Sequence, residues 1–348
     1  MAIVGHWSTL AEAQKLVQDE LLAGVVEEII EEGQLTAKLP VFQIDSKTVK
    51  YNRESVLPSA AFYDINEQLP WNAEVAYTTQ VEVELKRVAR QDVLDQFMRD
   101  TYRNPNDYRS IVLSEMRKGC MRAIEDKIIY GDTTYTSSKE FDGLHAFAAL
   151  NDTGGAADGV LDIDEGEGAL SLANMRLLMD SCKVGYNGMP SSNIFWLTGH
   201  ELGRRIDAML QEAGIASYAG PFNMVFTANE LGRRVTMFDG IPIVRSDYMV
   251  AEQVNTGRGT NARAKYTSGT KQYSIFLCRL GQIMEGGLCM AFGGTGVGAG
   301  EFFTFRDFPD LEDYDAEGMR LKAYVALALG STKSLGRIHD ITDAPPGA

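Results

Sequence analysis

The chain has 348 residues, 45% hydrophobic and 23% charged, which suits a folded protein of two compact units and not one small core. Its 33 Lys and Arg against 48 Asp and Glu leave a net charge of −15 with no basic block, a balance that repels nucleic acid instead of steering it in. Four scattered cysteines (Cys120, Cys182, Cys278 and Cys289) contain no CxxC pair, which argues against a zinc site and against a secreted disulfide scaffold, and no run of about 18 apolar residues is available to span a membrane.

The opening "MAIVGHWSTLAEAQ" has neither the basic nor the apolar region of a signal peptide. A helix follows it. Thr9 and Glu12 form a capping box, Val17, Leu21, Val25 and Ile29 recur every fourth residue beside Leu22, Val26 and Ile30, and Gly33 stands where a C-terminal cap belongs.

Residues 75–85, "VAYTTQVEVEL", alternate strictly: Val75, Tyr77, Thr79, Val81, Val83 and Leu85 share one face, and Thr78, Gln80, Glu82 and Glu84 the other. That predicts a long strand with one face to bury. Its partner is expected at "TVKYNRE", residues 48–54, with Pro58 and Pro70 marking an irregular tip. A two-stranded ribbon is marginal in water, and no helix interleaves to cover it. Its apolar face is therefore expected to be completed by another subunit.

Val93, Leu94, Phe97 and Met98 read as a short helical piece ending near Asn104-Pro105. Then Tyr108, Val112, Met116, Cys120, Ile124 and Ile128 repeat at four-residue intervals up to Gly131. About 24 residues at roughly 1.5 Å each make a rod of roughly 36 Å, long enough to act as a spine. After it come "IIYGDTTYTSSKEFDGL" and His145, with a strand expected to start at "FDGLHAF".

"NDTGGAADG" and "DIDEGEG" form a flexible acidic seam, and a mixed α/β segment begins beyond it. Met175, Leu178, Met179 and Cys182 mark a helix; "NIFWL", residues 193–197, reads as a short buried strand. Thr198 and Glu201 suggest a second capping box, opening a helix through Leu202, Ile206, Met209 and Leu210 to Gly214. Asp239-Gly240 between "RRVTMF" and "IPIVRS" is a strong hairpin signal. Strands are expected at "KQYSIFLCRL" and "GLCMAF", and a long late strand where Met319, Leu321, Ala323, Val325, Leu327 and Leu329 alternate with Arg320, Lys322 and Tyr324.

Possible sites of chemistry do not hold up. "GGTGVGAG", residues 293–300, contains a GxGxxA match, but "EFFTFRDFPD" follows in place of the helix that would hold a pyrophosphate. "HELGRR" opens like a zinc-protease helix, yet Arg204 occupies the place of the second histidine. "DIDEGEG" lacks a calcium loop's third ligand and later Glu, and reads as a solvated acidic loop. Of the four histidines (His6, His145, His200 and His339) none sits in a nucleophile motif, and His145 beside Asp142 is poorly spaced for an acid–base dyad on a strand. No catalytic, cofactor-binding or metal site is assigned. A soluble enzyme with an unmarked site stays open as an alternative of a different class, because catalytic groups are set by geometry and not by order along the chain.

Tyr130-Gly131-Asp132 closing the spine, followed after a short polar gap by Phe141-Asp142-Gly143-Leu144, resembles the major capsid proteins of tailed bacteriophages, the family with the Johnson fold. "LVQDELLAGVVEEIIEEGQLTAKLPV" and "YNRE" also look like members of that family, and the resemblance covers nearly the whole chain in element order. It implies an α+β fold: an N-terminal arm and helix at 1–45, an extended β-ribbon E-loop at 46–90, a peripheral domain with the spine helix at 91–150 and 305–348, and an axial α/β domain at 151–304. The E-loop would lie on a neighbouring subunit, with Tyr51, Arg53, Glu54, Val75, Tyr77, Val81, Val83 and Leu85 as interface residues. The implied function is a non-enzymatic subunit self-assembling into hexamers and pentamers of an icosahedral head, which encloses double-stranded DNA without reading its sequence. Its implied setting is the virion capsid, assembled in the host cytoplasm, with scaffolding, portal and decoration proteins as partners and no membrane. An encapsulin-type nanocompartment shares the fold and is the alternative. No long segment stands ahead of the first helix, so scaffolding is separate, or a leading segment was removed, or none is needed. Lys47 and Lys50 lie near the ribbon without a cross-linking motif, and no cross-link is expected.

Overall fold

The structure is a computed structural model that describes residues 35–53, 60–68, 79–95, 108–133, 139–151, 161–182, 193–212, 224–228, 234–255, 262–293, 302–309, 311 and 315–343. The expected first helix, the glycine loop at 294–300, Phe97 and Met98 lie outside the described residues.

Two sheets organise the chain. The first is built on the long late strand β15 (Ala316–Leu329). One edge of β15 pairs over ten positions with β4 (Lys86–Asp95); the other pairs with β14 (Thr304–Phe308) and then β13 (Leu288–Gly293), and β1 (Val41–Ile44) runs parallel to β13. The helix α1 (Tyr108–Tyr130) crosses one face of this sheet, where Met116 and Cys120 meet Leu94, Met319 and Leu321. Its 23 residues span roughly 35 Å. The expected row Met116, Cys120, Ile124 and Ile128 is the buried one.

The second sheet has the order β5-β16-β12-β6-β9-β8-β7. These strands are β5 (Asp162–Asp164), β6 (Ile194–Thr198), β7 (Met224–Ala228), β8 (Arg234–Phe238), β9 (Ile241–Arg245), β12 (Tyr273–Arg279) and β16 (Leu335–Ile341). The expected hairpin forms: Asp239 and Gly240 both take positive φ, +45° and +83°, as a two-residue turn matched to strand twist requires. The helices α3 (Leu172–Ser181) and α4 (His200–Glu212) bury Met175, Leu178, Leu202 and Ile206 against this sheet around Trp196.

Four expectations change. Val93 and Leu94 belong to β4 and not to a helix; Val93 is 58% exposed and Leu94 2%, the opposite-face behaviour of adjacent strand residues, and pairing with β15 prevails over the local pattern. "FDGLHAF" starts a helix, α2 (Leu144–Asn151), and not a strand. Thr198 ends β6 with its hydroxyl buried and without a partner among the described residues, and Gly203 donates to the Gly199 carbonyl at 2.9 Å, so the helix starts after Gly199 without the capping box. The boundary drawn at 304 also departs from sheet membership: β13 joins the β15 sheet, while the short turn at 332–334 carries the chain from β15 into the other sheet as β16.

Candidate assembly surface and the junction beneath it

The motif after the spine is a backbone crossing. Gly143 donates its N–H to the Gly131 carbonyl, and Gly131 to Lys127, each at 2.9 Å. A Cβ on Gly131 would sit 2.3 Å from the Lys127 oxygen and 2.4 Å from that of Phe141; one on Gly143 would sit 2.6 Å from the Lys127 oxygen. Only glycine lets the chain pass this close to the helix end. Asp142 holds the turn by accepting from the Thr133 N–H and hydroxyl, both at 2.9 Å, so it is turned away from any dyad with His145.

His145 instead points into a buried polar network. Its Nε2 lies 2.9 Å from Glu252 Oε1, and its Nδ1 receives a hydrogen bond from Arg337 at 3.1 Å. Glu252, on β10 (Glu252–Val254), also accepts from Tyr130 at 2.9 Å and Ser274 at 2.6 Å. Arg337 grips Asp162 with two bonds of 2.7 and 2.5 Å. His339 repeats the pattern: its Nδ1 receives a bond from Arg263, on β11 (Arg263–Lys265), and its Nε2 faces Asp162 at 3.5 Å. Burial lowers the His145 pKa. Burial pushes the Asp162 carboxyl up, but His339 and Arg337 outweigh it and bring it to about 2. Glu252 is likewise held low, as the bonds from His145, Ser274 and Tyr130 overcome its burial. Two cations and two carboxylates thus balance around two histidines, joining the spine's end to the second sheet. The rings, carboxylates and guanidinium ends are tied to one another, while Arg263 Nε has no partner among the described residues, an arrangement suited to holding elements together. Sequence reading named His145, His339 and, within "DIDEGEG", Asp162, but missed Glu252, Arg263 and Arg337; the available signal for Arg337 was charge inside the apolar strand "LGRIHDI".

Glu125 is a second missed anchor. Buried on α1, it accepts from the Leu35 N–H at 2.7 Å and the Thr36 N–H at 3.0 Å, tying the start of the described chain to the spine.

The predicted ribbon forms from β2 (Thr48–Arg53) and β3 (Thr79–Glu84), antiparallel, with Thr48 opposite Glu84 and Arg53 opposite Thr79. Lys47–Glu84 (2.5 Å) and Lys50–Glu82 (3.1 Å) pair across it. At its base the expectation of an uncovered apolar face is overturned: Val83 and Leu85 are 7% and 8% exposed and belong to this chain's own core, with Val49, Tyr51 and Val81 packed against it. Tyr51 donates to the Leu329 carbonyl at 2.6 Å and Arg53 to Gly330 at 3.0 Å. These groups are used inside the subunit because β15 outruns β4 and leaves free carbonyls at its end. Glu54, Val75 and Tyr77 lie outside the described residues. A cavity of about 290 Å³ lies between Val81, Glu82, Lys86, Phe141, Phe147 and Ala326. What stands open is the tip, where Phe62 and Ile65 are 106% and 90% exposed.

The remaining motifs find structural places. His200 bonds Asp247 at 2.6 Å on an exposed helix start, and Asp162 of "DIDEGEG" is spent on Arg337. All four cysteines are free and buried. No helix among the described residues is long and apolar enough to cross a membrane.

No family model matches the sequence, and no curated protein does. Solved structures match it along its whole length. The SrpI encapsulin from Synechococcus elongatus PCC 7942 superposes with a TM-score of 0.65 at 15% identity, covering 98% of this chain and 99% of the other. The capsid of the cyanophage A-1(L) gives 0.65 at 12%, covering 96% and 100%, and the capsid of a native GTA particle 0.63 at 11%, covering 97% and 100%. The chain therefore has the mixed α+β fold of phage capsid and encapsulin shell subunits.

Proposed function

We propose that this chain is the major capsid protein of a tailed phage, a structural subunit that self-assembles into hexamers and pentamers of an icosahedral head around packaged double-stranded DNA. The observation that carries the reading is the ribbon: in a chain sharing a shell-subunit fold end to end, an arm anchored at Val83 and Leu85 holds apolar Phe62 and Ile65 out in water. Exposed aromatic and aliphatic groups on a projecting arm serve association. In this reading the peripheral unit is the β15 sheet with α1, the axial unit is the seven-stranded sheet, and the ribbon is the E-loop reaching a neighbouring subunit. The net charge of −15 suits a wall that encloses DNA without gripping it. The work is mechanical, with no catalytic step. The virion capsid is its location, host cytoplasm its place of assembly, and scaffolding, portal and decoration proteins its further partners.

Electron microscopy of the purified protein tests this. Uniform closed shells or hexameric sheets support it; a persistent monomer that turns over a substrate overturns it. The whole-length likeness to an encapsulin favours a second reading, a nanocompartment shell. Cargo decides between them: DNA supports the head, an enclosed enzyme the compartment.

A further inference from the structure

The ribbon keeps one strand edge open at its base. Its register, carried on by one pair, sets Lys47 opposite Leu85, and the Leu85 N–H bonds the Lys47 carbonyl at 2.9 Å. Bonded pairs alternate along an antiparallel ladder, so Val83, Val81 and Thr79 spend their backbone groups on β2, while Gln80, Glu82 and Glu84 turn theirs the other way. The cavity of about 290 Å³ lies on that side: Val81, Glu82, Val83 and Glu84 line it in succession, side chains of both faces, and no residue of β2 does. Phe141, Asp142, Phe147 and Leu327 form its other walls. The backbone N–H and C=O of Glu82 and Glu84 have no partner among the described residues. Such a row is a template for one more strand. With strands roughly 4.8 Å apart, a sheet roughly 10 Å thick and a rise of roughly 3.3 Å, an extended residue fills roughly 160 Å³, so the cavity holds about two.

We infer that this edge receives an extended segment of a second protein, in which an apolar residue stands between two cations. Side chains of an added strand alternate as those of β3 do. Beside Val81 and Val83, with Phe147 and Leu327 near, they meet apolar surface; beside Glu82 and Glu84 they meet carboxylates. Lys50 and Lys47 reach these two acids from β2, at 3.1 and 2.5 Å, but Asp142 on the facing wall uses one oxygen only, on Thr133. A cation–apolar–cation triplet occurs in this chain only at residues 263–265 and 320–322, and both already lie in paired strands. The occupant is therefore another protein and not a second copy. A net charge of −15 also draws a basic partner in from a distance. The cleft is complete in one subunit and does not depend on shell formation.

The probe is a dye-labelled, capped peptide, Thr-Lys-Val-Lys-Val-Lys-Thr, titrated with the full chain and followed by fluorescence anisotropy. Two further versions carry backbone N-methyl groups, on the lysines in one and on the valines in the other, which block opposite edges of the added strand. One should bind like the parent and the other about tenfold or more weakly, because only one edge can face β3. On the protein, Glu82→Pro removes the outward N–H without touching a bond to β2, and Glu82→Gln keeps it. Glu82→Pro should melt near wild type and bind the parent peptide about tenfold or more weakly, with a smaller loss in Glu82→Gln. No binding, equal binding of the two methylated peptides, or full binding to Glu82→Pro overturns the inference, the last two as mere charge attraction. A wild-type chain that ignores the peptide but self-associates, and loses that association in Glu82→Pro, gives the edge to a second copy and overturns it too. Should Glu82→Pro fail to fold, the two methylated peptides decide by themselves.

Discussion

Arg337 donates a hydrogen bond to Nδ1 of His145 at 3.1 Å, and this contact decides the protonation of a buried histidine. A guanidinium can only donate, so Nδ1 must present its lone pair and the single ring proton sits on Nε2, facing Glu252. A second proton would stand between the ring and a cation. Arg337 is held in turn by Asp162, so four residues from α2, β10, β16 and β5 share one arrangement.

Breaking the pair should be expensive. Arg337→Met strands the Asp162 carboxylate with only His339 beside it, and should cost about 3–5 kcal/mol of unfolding free energy in a urea titration. A loss under about 1 kcal/mol would mean that water reaches the site.

Acid should loosen the subunit in two steps. The folded pKa of His145 lies below its ordinary 6.5, so the unfolded chain binds the proton more readily, and stability present above that pH declines as pH falls below it. Asp162 adds a second loss as pH falls from 3.8 toward about 2. Melting temperature against pH should show the first decline in wild type as pH falls below about 6.5, and a flatter profile there in His145→Gln. Equal slopes in both would remove His145 as the cause.

The two glycines after the spine should be intolerant. Gly131→Ala and Gly143→Ala place a methyl within 2.3 and 2.6 Å of backbone oxygens, which cannot swing aside. Each should cost more than about 3 kcal/mol or abolish soluble expression. Gly166→Ala is the control: nothing lies within 4 Å, and only its φ of +60° opposes the change, at about 1 kcal/mol. Similar losses at all three would point to backbone conformation in place of collision.

Base and tip of the ribbon should respond differently. Val83→Asp puts a charge into this chain's own core and should unfold or strongly destabilise the isolated subunit. Phe62→Ser touches nothing buried, and should leave the subunit's melting within about 0.5 kcal/mol of wild type. A stable, soluble Val83→Asp subunit would return the base of the ribbon to the intersubunit surface.

Trp196 is fully buried, edge-on to Phe238 at 6.2 Å, so Trp196→Ala should cost about 3–5 kcal/mol. Its indole N–H has no partner among the described residues, and Trp196→Phe should cost clearly less, because it also removes an unsatisfied donor. Equal losses, read by denaturant titration, would place a water on that nitrogen.

Local pattern determined much of this molecule before any fold was known. Period four along 108–130 and period two along 316–329 dictate a helix and a strand, because each repeat counts faces on an element that needs only its own neighbours. Asp-Gly at 239–240 dictates its turn for the same reason, and the ribbon's register follows from alternation on both strands. Tertiary structure alone decided where those faces go. Whether Val83 meets a neighbour or its own core depends on β15 extending past β4, and Val93 is a strand residue because ten backbone pairings to β15 outweigh a short helical pattern. His145 finds Glu252 across 107 positions and Arg337 across 192. Such pairings carry no periodic trace, since the free energy that selects them comes from desolvating charges together at one point in space, and that point exists only after both sheets have formed.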